Sequence, residues 1–211
     1  MMTINSTGIL LNMAKRELGK NPKKAKKTCD IIFEKINSFE ELIRLGEMYL
    51  ELSDYEGVIK CYEKAREINE DTSVLEILAM AYEETLINNP NKGLEHYIGT
   101  LYEELGDRTE NKEYYEKAIK YYNLTKDKDN PIGYFGLGNI YMSLGDLEKA
   151  EKEYEWFLIY EPEDIDGLYN LMLVKEELGK HKEAKEIGYK LLSQEGTTEA
   201  IKKEIKEIIK N

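Results

Sequence analysis

Residues 133–150 read GYFGLGNIYMSLGDLEKA, a helix-like segment with two glycines, Gly136 and Gly138, near its middle. A glycine inside a helix costs about 1 kcal/mol relative to alanine, so two of them in one segment need a structural reason. The segment ends at the turn-like sequence LGD (144–146), and a second amphipathic segment follows at once. The stretch therefore predicts a helix, a short turn and a second helix.

The same turn recurs as LGK at 18–20, LSD at 52–54, LGD at 105–107 and 144–146, and LGK at 178–180. Its leading leucines are separated by 34, 53, 39 and 34 residues. Three of the turns follow an apolar residue, then Gly, then Tyr three residues later and Leu three further on. A fourth, at 171–178, has Met172 and Lys175 at the Gly and Tyr positions. A recurring period of 34 residues is typical of stacked helix–turn–helix repeats.

Local signals agree with this interpretation. Ser38 and Glu41 have the spacing of a capping box, and Pro22 suits the first turn of a helix. No segment alternates apolar and polar residues with the period of two that a half-buried strand requires. The predicted fold class is all-α.

The chain resembles the tetratricopeptide repeat family, most closely over 131–164. The matching signature positions in that segment are Tyr134, Leu137, Gly138, Tyr141, Ala150, Tyr154 and Pro162. The resemblance implies an α-solenoid of helical pairs, helix A and helix B, that cross closely at a small residue. Gly46, Gly99 and Gly138 are then expected to admit a partner helix, and the packing gained offsets the lost helix propensity. Gly136 falls at a position that faces the groove in the family.

The repeats divide the predicted solenoid, residues 1–211, as follows: a degenerate first pair at 5–38, repeats at 39–72, 92–125, 131–164 and 165–196, an extra helix at 73–91, and a capping helix at 197–211. The spacing of 53 leaves room for one extra helix, which we assign to 73–87. In the alternative, 91–105 is the helix B of that segment and 110–124 is the odd helix. The spacing of 39 places five more residues in a loop at 126–130.

Charge and composition narrow the function classes. The chain carries a net charge of −12, but residues 1–36 carry +5 and the remainder −17, so most of the chain would repel nucleic acid. No stretch approaches the roughly 18 apolar residues of a membrane span. Two widely spaced cysteines, Cys29 and Cys61, indicate buried thiols in a reducing compartment, so we expect a cytoplasmic protein.

No catalytic or metal-binding pattern stands out. The two histidines, His96 and His181, lie in different repeats, and the paired carboxylates are dense enough to indicate a solvated acidic face. We therefore expect a protein that is not an enzyme and has no cofactor and no metal.

The family's groove positions map onto ten residues that mix apolar anchors with polar groups. These residues are Ile43, Glu47, His96, Thr100, Phe135, Asn139, Met142, Tyr169, Asn170 and Leu173. Such a groove suits a peptide or an amphipathic helix that carries basic residues. Phe135 and Tyr169 are equally compatible with packing on neighbouring helices.

Two further features point outward. Trp156 and Tyr160 lie off the apolar face of helix 147–160 and suit either a contact with a partner or second copy, or packing on the next repeat. The lysines of KNPKKAKK (20–27) form the candidate basic patch: Lys23, Lys24, Lys26 and Lys27.

The predicted function is a non-catalytic protein-interaction scaffold. The alternatives are a nucleic-acid-associated adaptor that uses the basic patch, although nucleic acid is disfavoured, and a self-assembling structural subunit.

Overall fold

The computed structural model of the chain describes residues 6–90, 93–126 and 131–210, which form twelve α-helices and no β-strand. The all-α class predicted from the sequence is confirmed for that part of the chain. The helices divide between two compact units, residues 1–108 and 109–211. The predicted loop at 126–130 and the predicted repeat boundary at 91–92 fall partly or wholly outside the described residues.

In the first unit, the helices from α1 to α5 pack in succession, and α1 also contacts α3. The last residue of α6 already belongs to the second unit. The helices are α1 (Ser6–Leu18), α2 (Pro22–Phe33), α3 (Phe39–Glu51), α4 (Tyr55–Arg66), α5 (Thr72–Asn88) and α6 (Glu95–Thr109).

The second unit repeats this arrangement, and α9 packs on α10 as well as on α8. Its helices are α7 (Lys112–Leu124), α8 (Ile132–Ser143), α9 (Leu147–Tyr160), α10 (Ile165–Glu177), α11 (His181–Ser193) and α12 (Glu199–Ile208). Ile205 of α12 is fully buried in a cluster with Met172 and Leu191 of α10 and α11. α12 occupies the segment assigned to the capping helix and α5 the segment assigned to the extra helix, whereas the pairing of α6 with α7 stays a prediction.

The helix starts follow the local chemistry of the sequence. Ser38 is the N-cap of α3, where its hydroxyl oxygen accepts the backbone N–H of Glu41 at 3.3 Å and its O–H donates to the Glu41 carboxylate at 3.2 Å. Pro22 stands at the first position of α2, where its missing N–H costs nothing. The cap predicted at Ser38 is therefore present.

The recurring turns place a left-handed residue after the helix. Ser53, Gly145 and Gly179, the middle residues of three of these turns, have φ values of 53°, 74° and 74°. This conformation ends a helix at little cost for glycine. The LGD at 105–107 differs, since it lies inside α6 and the left-handed residue is Glu110, with φ 54°. Arg108, which is ion-paired to Glu104 one turn earlier, supports this extension of α6.

The helical glycines lie where a tyrosine of another helix approaches. A Cβ on Gly46 would lie 2.3 Å from the ring of Tyr62, and one on Gly138 would lie 2.5 Å from the ring of Tyr154. The close approach predicted for Gly46 and Gly138 is therefore present. A Cβ on Gly136 would lie 2.3 Å from the ring of Tyr122 in α7. Gly136 thus faces the preceding helix and not a groove, because α8 packs between α7 and α9.

Tyr49, a tyrosine of the repeated pattern, contacts the helix before its own. The Tyr49 hydroxyl donates to Asp30 of α2 at 2.8 Å, and the Tyr82 hydroxyl of α5 makes a similar contact with Glu63 of α4 at 2.9 Å. Lys175 takes the tyrosine position in α10 and makes the same kind of cross-helix contact as an ion pair. The substitution therefore changes the chemistry of the contact and keeps its place in the fold.

Lys175 is only 5% exposed and lies among three carboxylates. Its Nζ atom is 2.6 Å from Glu151, 2.9 Å from Glu155 and 2.8 Å from Glu183, and Lys180 contacts Glu151 at 2.5 Å. Burial acts to lower the pKa of Lys175, but the hydrogen bonds that it donates to the three glutamates outweigh burial and raise that pKa. Burial acts to raise the pKa of Glu151, but the two lysines hold it below its ordinary value. We call these five side chains the buried ion cluster.

Candidate functional site

A groove of about 370 Å³ opens between α1 and α3 in the first unit. Its lining consists of Gly8, Leu11, Asn12, Lys15, Arg44, Glu47, Met48 and Glu51. Leu11 and Met48 are buried and form an apolar floor, whereas the four charged side chains are exposed. We call this feature the α1–α3 groove.

The charged side chains of the α1–α3 groove lack partners within the described chain. Lys15, Arg44, Glu47 and Glu51 form no ion pair or hydrogen bond through their side chains with any described residue. By contrast, Arg66 and Arg108 of the same unit are ion-paired with Glu104. Two cations and two anions around an apolar floor can bind a peptide that presents charges of both signs.

Of the predicted groove residues, Glu47 lies in this lining and half-buried Ile43 stands in the same helix. Lys15 and Arg44 are not among the residues predicted from the sequence. Helical spacing does place each of them beside another lining residue, because Arg44 stands three residues before Glu47 and Lys15 follows Leu11 by four residues. Nothing in the sequence, however, indicates that α1 and α3 bring these charges to the same opening.

A second cavity of about 180 Å³ lies between α4, α5 and α6 of the first unit. It is lined by Glu63, Arg66, Tyr82, His96, Tyr97, Thr100 and Leu101, and we call it the tyrosine pocket. It brings together the two predicted groove residues of α6, His96 and Thr100, with three aromatic rings in all. Burial, together with Glu63, raises the pKa of the Tyr82 hydroxyl, so that group stays protonated.

In the second unit, the predicted groove residues of α8 largely pack inward. The Phe135 ring contacts the rings of Tyr154 and Phe157, with centroids 5.9 Å and 5.1 Å apart, and Met142 packs on the same core cluster. Asn139 is half-buried and accepts the Tyr154 hydroxyl at 2.7 Å through its side-chain oxygen. These contacts fix the side chains of α8 in place.

The predicted residues of α10 face two neighbours. The Asn170 amide donates to Asn139 at 3.3 Å, so the two asparagines are joined. Tyr169 and Leu173 are half-buried on the core cluster that includes Ile205 of α12. Burial and a hydrogen bond with Glu204 raise the pKa of Tyr169 to about 12. Whether any of these residues contacts a partner stays a prediction.

The candidate basic patch on α2 is partly engaged within the chain. Lys24 is 3.1 Å from Glu17, and Lys26 is 2.5 Å from Asp54, which raises the pKa of Lys26 chiefly through that hydrogen bond. Lys23 and Lys27 are exposed. The patch therefore offers fewer unpaired charges than the sequence indicates, and binding of nucleic acid there stays a prediction.

Trp156 is 47% exposed and belongs to an aromatic patch on α8 and α9. The ring of Tyr134 stacks on Trp156 and on Tyr160, at centroid distances of 6.2 Å and 5.9 Å. Lys126 lies over the ring of Tyr134, 5.0 Å from its centroid, and contacts Glu153 at 2.7 Å. Trp156 and Tyr160 thus both stack on Tyr134, and we call Tyr134, Trp156 and Tyr160 the aromatic patch. Whether this patch contacts a partner or a second copy stays a prediction.

His181 lies apart from these sites, with its Nδ1 atom 2.8 Å from Glu176. In the described parts of the chain, no group of three or more His, Cys, Asp or Glu side chains is arranged to hold a metal ion. Over the same residues, none of the helices has the length and apolarity needed to cross a membrane.

Comparison with known proteins agrees with this architecture. The model of the family described as tetratricopeptide repeat matches residues 42–72, 98–123 and 133–155. The TPR repeat-containing protein MJ1428 of Methanocaldococcus jannaschii is 30% identical over 148 residues, which are 63% of this chain and 25% of that protein. The chain thus spans about a quarter of the length of this curated relative.

Two solved structures share the fold at low sequence identity. TTC0263, a thermophilic TPR protein of Thermus thermophilus, is 20% identical, with a TM-score of 0.54 over 82% of this chain and 100% of that chain. PilW, described as a widely conserved type IV pilus biogenesis factor, is 13% identical, with a TM-score of 0.52 over 95% of this chain and 99% of that chain.

The stacked helical pairs and the family match define an α-solenoid of helical repeats. Three segments of the chain match the tetratricopeptide repeat family, and solved proteins with such repeats share its fold. Proteins of this kind are generally non-catalytic scaffolds that bind other proteins along the surfaces of their stacked repeats.

Proposed function

We propose that the chain is a non-catalytic scaffold that binds a peptide or an amphipathic helix of another protein on the surface formed by its A helices. The observation that carries this proposal is the α1–α3 groove, where four charged side chains surround an apolar floor without partners in the described chain. Unpaired charges beside an apolar surface can strengthen the binding of a ligand and fix its position along the groove. Rigid helices limit the entropy lost on binding.

Selection from a random peptide library displayed on phage, followed by titration of the recovered peptides, tests this proposal. We expect the peptides to bind the wild type and to bind a Lys15→Met/Arg44→Met variant at least about tenfold more weakly, a change of about 1.4 kcal/mol. The matched control is Lys182→Met/Lys203→Met, which removes two exposed lysines from the second unit.

The control should bind as the wild type does, and circular dichroism should show that both variants are folded. Peptides that bind the groove variant and the wild type equally would remove the α1–α3 groove from the proposal. Failure to recover any peptide that the wild type binds with saturation would contradict the scaffold function itself.

The exposed aromatic patch supports a second candidate function, that of a self-assembling subunit. A half-exposed tryptophan stacked on Tyr134, which also stacks on Tyr160, offers a rigid apolar contact of the kind found at interfaces. Sedimentation velocity should then show a mass that rises with protein concentration in the wild type and less so in Trp156→Ala. A wild type that stays monomeric at all concentrations, or a variant that associates equally well, contradicts this function.

We propose the cytoplasm, a reducing compartment, as the location. Cys29 and Cys61 are free and buried, and burial raises their pKa values to about 11 and about 12, so both remain thiols. Fractionation of the source cells tests this, because recovery of the chain outside the cytoplasmic fraction would contradict it.

A further inference from the structure

The tyrosine pocket combines aromatic faces with one carboxylate. The rings of Tyr82 and Tyr97 lie nearly parallel, with centroids 6.1 Å apart and planes 10° apart. The His96 ring packs on Tyr97 at 3.8 Å and an angle of 42°. Tyr97 is nevertheless 52% exposed, so part of its ring remains open to a ligand.

The charges around the tyrosine pocket leave one carboxylate uncompensated. The Arg66 guanidinium contacts Glu104, which also accepts Arg108 at 2.7 Å, and Arg108 reaches Glu70 at 3.0 Å. Glu63 accepts the Tyr82 hydroxyl at 2.9 Å and has no basic partner within the described chain. Of the two charged residues that line the tyrosine pocket, Arg66 is therefore engaged by Glu104, whereas the Glu63 carboxylate can accept a further cation.

We propose that the tyrosine pocket binds a cationic side chain, a lysine or an arginine, presented by the partner protein. The inference rests on the proposed scaffold function for its biological role and adds the class of side chain that the partner contributes. Three residues recognise the cation: the rings of Tyr82 and Tyr97 and the carboxylate of Glu63.

The alternatives fit the pocket less well. The face of an aromatic ring carries negative electrostatic potential and attracts a cation placed over it. An anionic side chain would meet both that potential and the Glu63 carboxylate, while the Arg66 guanidinium that could offset them is held by Glu104. A purely apolar side chain would desolvate Glu63 without giving it a partner, which carries an energetic penalty.

Arginine fits the geometry particularly well. Its planar guanidinium can stack on the half-exposed ring of Tyr97 and donate to Glu63 with an N–H at the same time. A lysine ammonium can make the same contacts as a point charge. The cavity volume of about 180 Å³ accommodates one such side-chain end and not a folded segment.

The test is an NMR titration of the full chain with two small probes, N-acetyl-L-argininamide and its neutral isostere N-acetyl-L-citrullinamide. We expect the arginine probe to shift the amide signals of residues 82, 96 and 97 with saturation, at a Kd on the order of 1–10 mM for so small a ligand. The citrulline probe should bind about three- to thirtyfold more weakly, because it keeps the shape and loses the charge.

Variants separate the two contributions to binding. Tyr97→Ala removes an exposed ring and should abolish the saturable shifts, and Glu63→Gln should weaken the arginine probe while its amide oxygen still accepts the Tyr82 hydroxyl. The matched control is Tyr189→Ala, which removes a tyrosine that is 61% exposed on α11 and should leave binding unchanged.

Equal binding of the two probes, no saturable binding by the wild type, or unchanged binding in Tyr97→Ala would each overturn the inference. The outcome is distinguishable from that of the peptide selection. Peptides that depend on Lys15 and Arg44 would uphold the scaffold function even if the tyrosine pocket bound neither probe.

Discussion

Replacing Tyr154 by alanine is expected to lower the free energy of unfolding of the second unit by about 3–5 kcal/mol. The Tyr154 side chain is fully buried, and its ring fills the space above Gly138 and contacts Phe135. Truncation leaves a cavity that a glycine backbone cannot fill, and it removes the hydrogen bond to Asn139. Urea denaturation followed by circular dichroism measures the change.

The control for this experiment is Tyr189→Ala, which removes the same side chain from a site that is 61% exposed. We expect that variant to change the free energy of unfolding by no more than about 0.5 kcal/mol. A Tyr154→Ala protein that unfolds at the urea concentration of the Tyr189→Ala control would show that the ring above Gly138 does not hold α8 against α9.

Replacing Lys175 by methionine is expected to cost about 1–3 kcal/mol, because the buried Glu151 carboxylate loses one of its two cations. Glu155 and Glu183 are more than half exposed, so water can solvate them when Lys175 is removed. Glu151 loses one of its two lysines, and Glu155 and Glu183 lose the ion pairs described above. Methionine is similar in length to lysine. The change in the free energy of unfolding therefore measures the loss of the charge more than a loss of packed volume. Thermal and urea unfolding at neutral pH measure it.

Two comparison variants sharpen this result. Lys182→Met removes an exposed lysine of α11 and should change the free energy of unfolding by no more than about 0.5 kcal/mol. Lys175→Tyr restores the residue of the other repeats and should be less destabilising than methionine, since a hydroxyl can donate to Glu155. If Lys175→Met is as stable as the wild type, the buried ion cluster contributes no net stability.

The two units present different kinds of surface. In the second unit, the predicted groove residues are occupied by core contacts, by the hydrogen bond between Asn139 and Asn170, and by the α12 cluster. In the first unit, the α1–α3 groove and the tyrosine pocket retain charged or aromatic groups that the described chain does not satisfy. For this reason our proposal places ligand binding chiefly in the first unit.

The sequence by itself determined the helices, several of their turns and the close approaches at Gly46 and Gly138, because these depend on residues near one another in the chain. The period of 34 residues, the cap at Ser38 and the glycines that face Tyr62 and Tyr154 are examples. The repeats could be aligned because equivalent positions in each helical pair make similar packing contacts and carry similar residue types.

Only the tertiary structure decided which side chains share an opening and which charges remain unpaired. In the sequence, Lys175 only replaces the tyrosine of the other repeats, but in the structure it is the centre of the buried ion cluster. The sequence gives no partner for Lys24 and Lys26, but the structure shows that both are ion-paired. The tyrosine pocket joins residues from three helices, and the α1–α3 groove joins charges about 30 residues apart in the chain. Such sites depend on the packing of helices that are distant in the sequence. Helical periodicity predicts the apolar face of each helix but not which other helix packs on it.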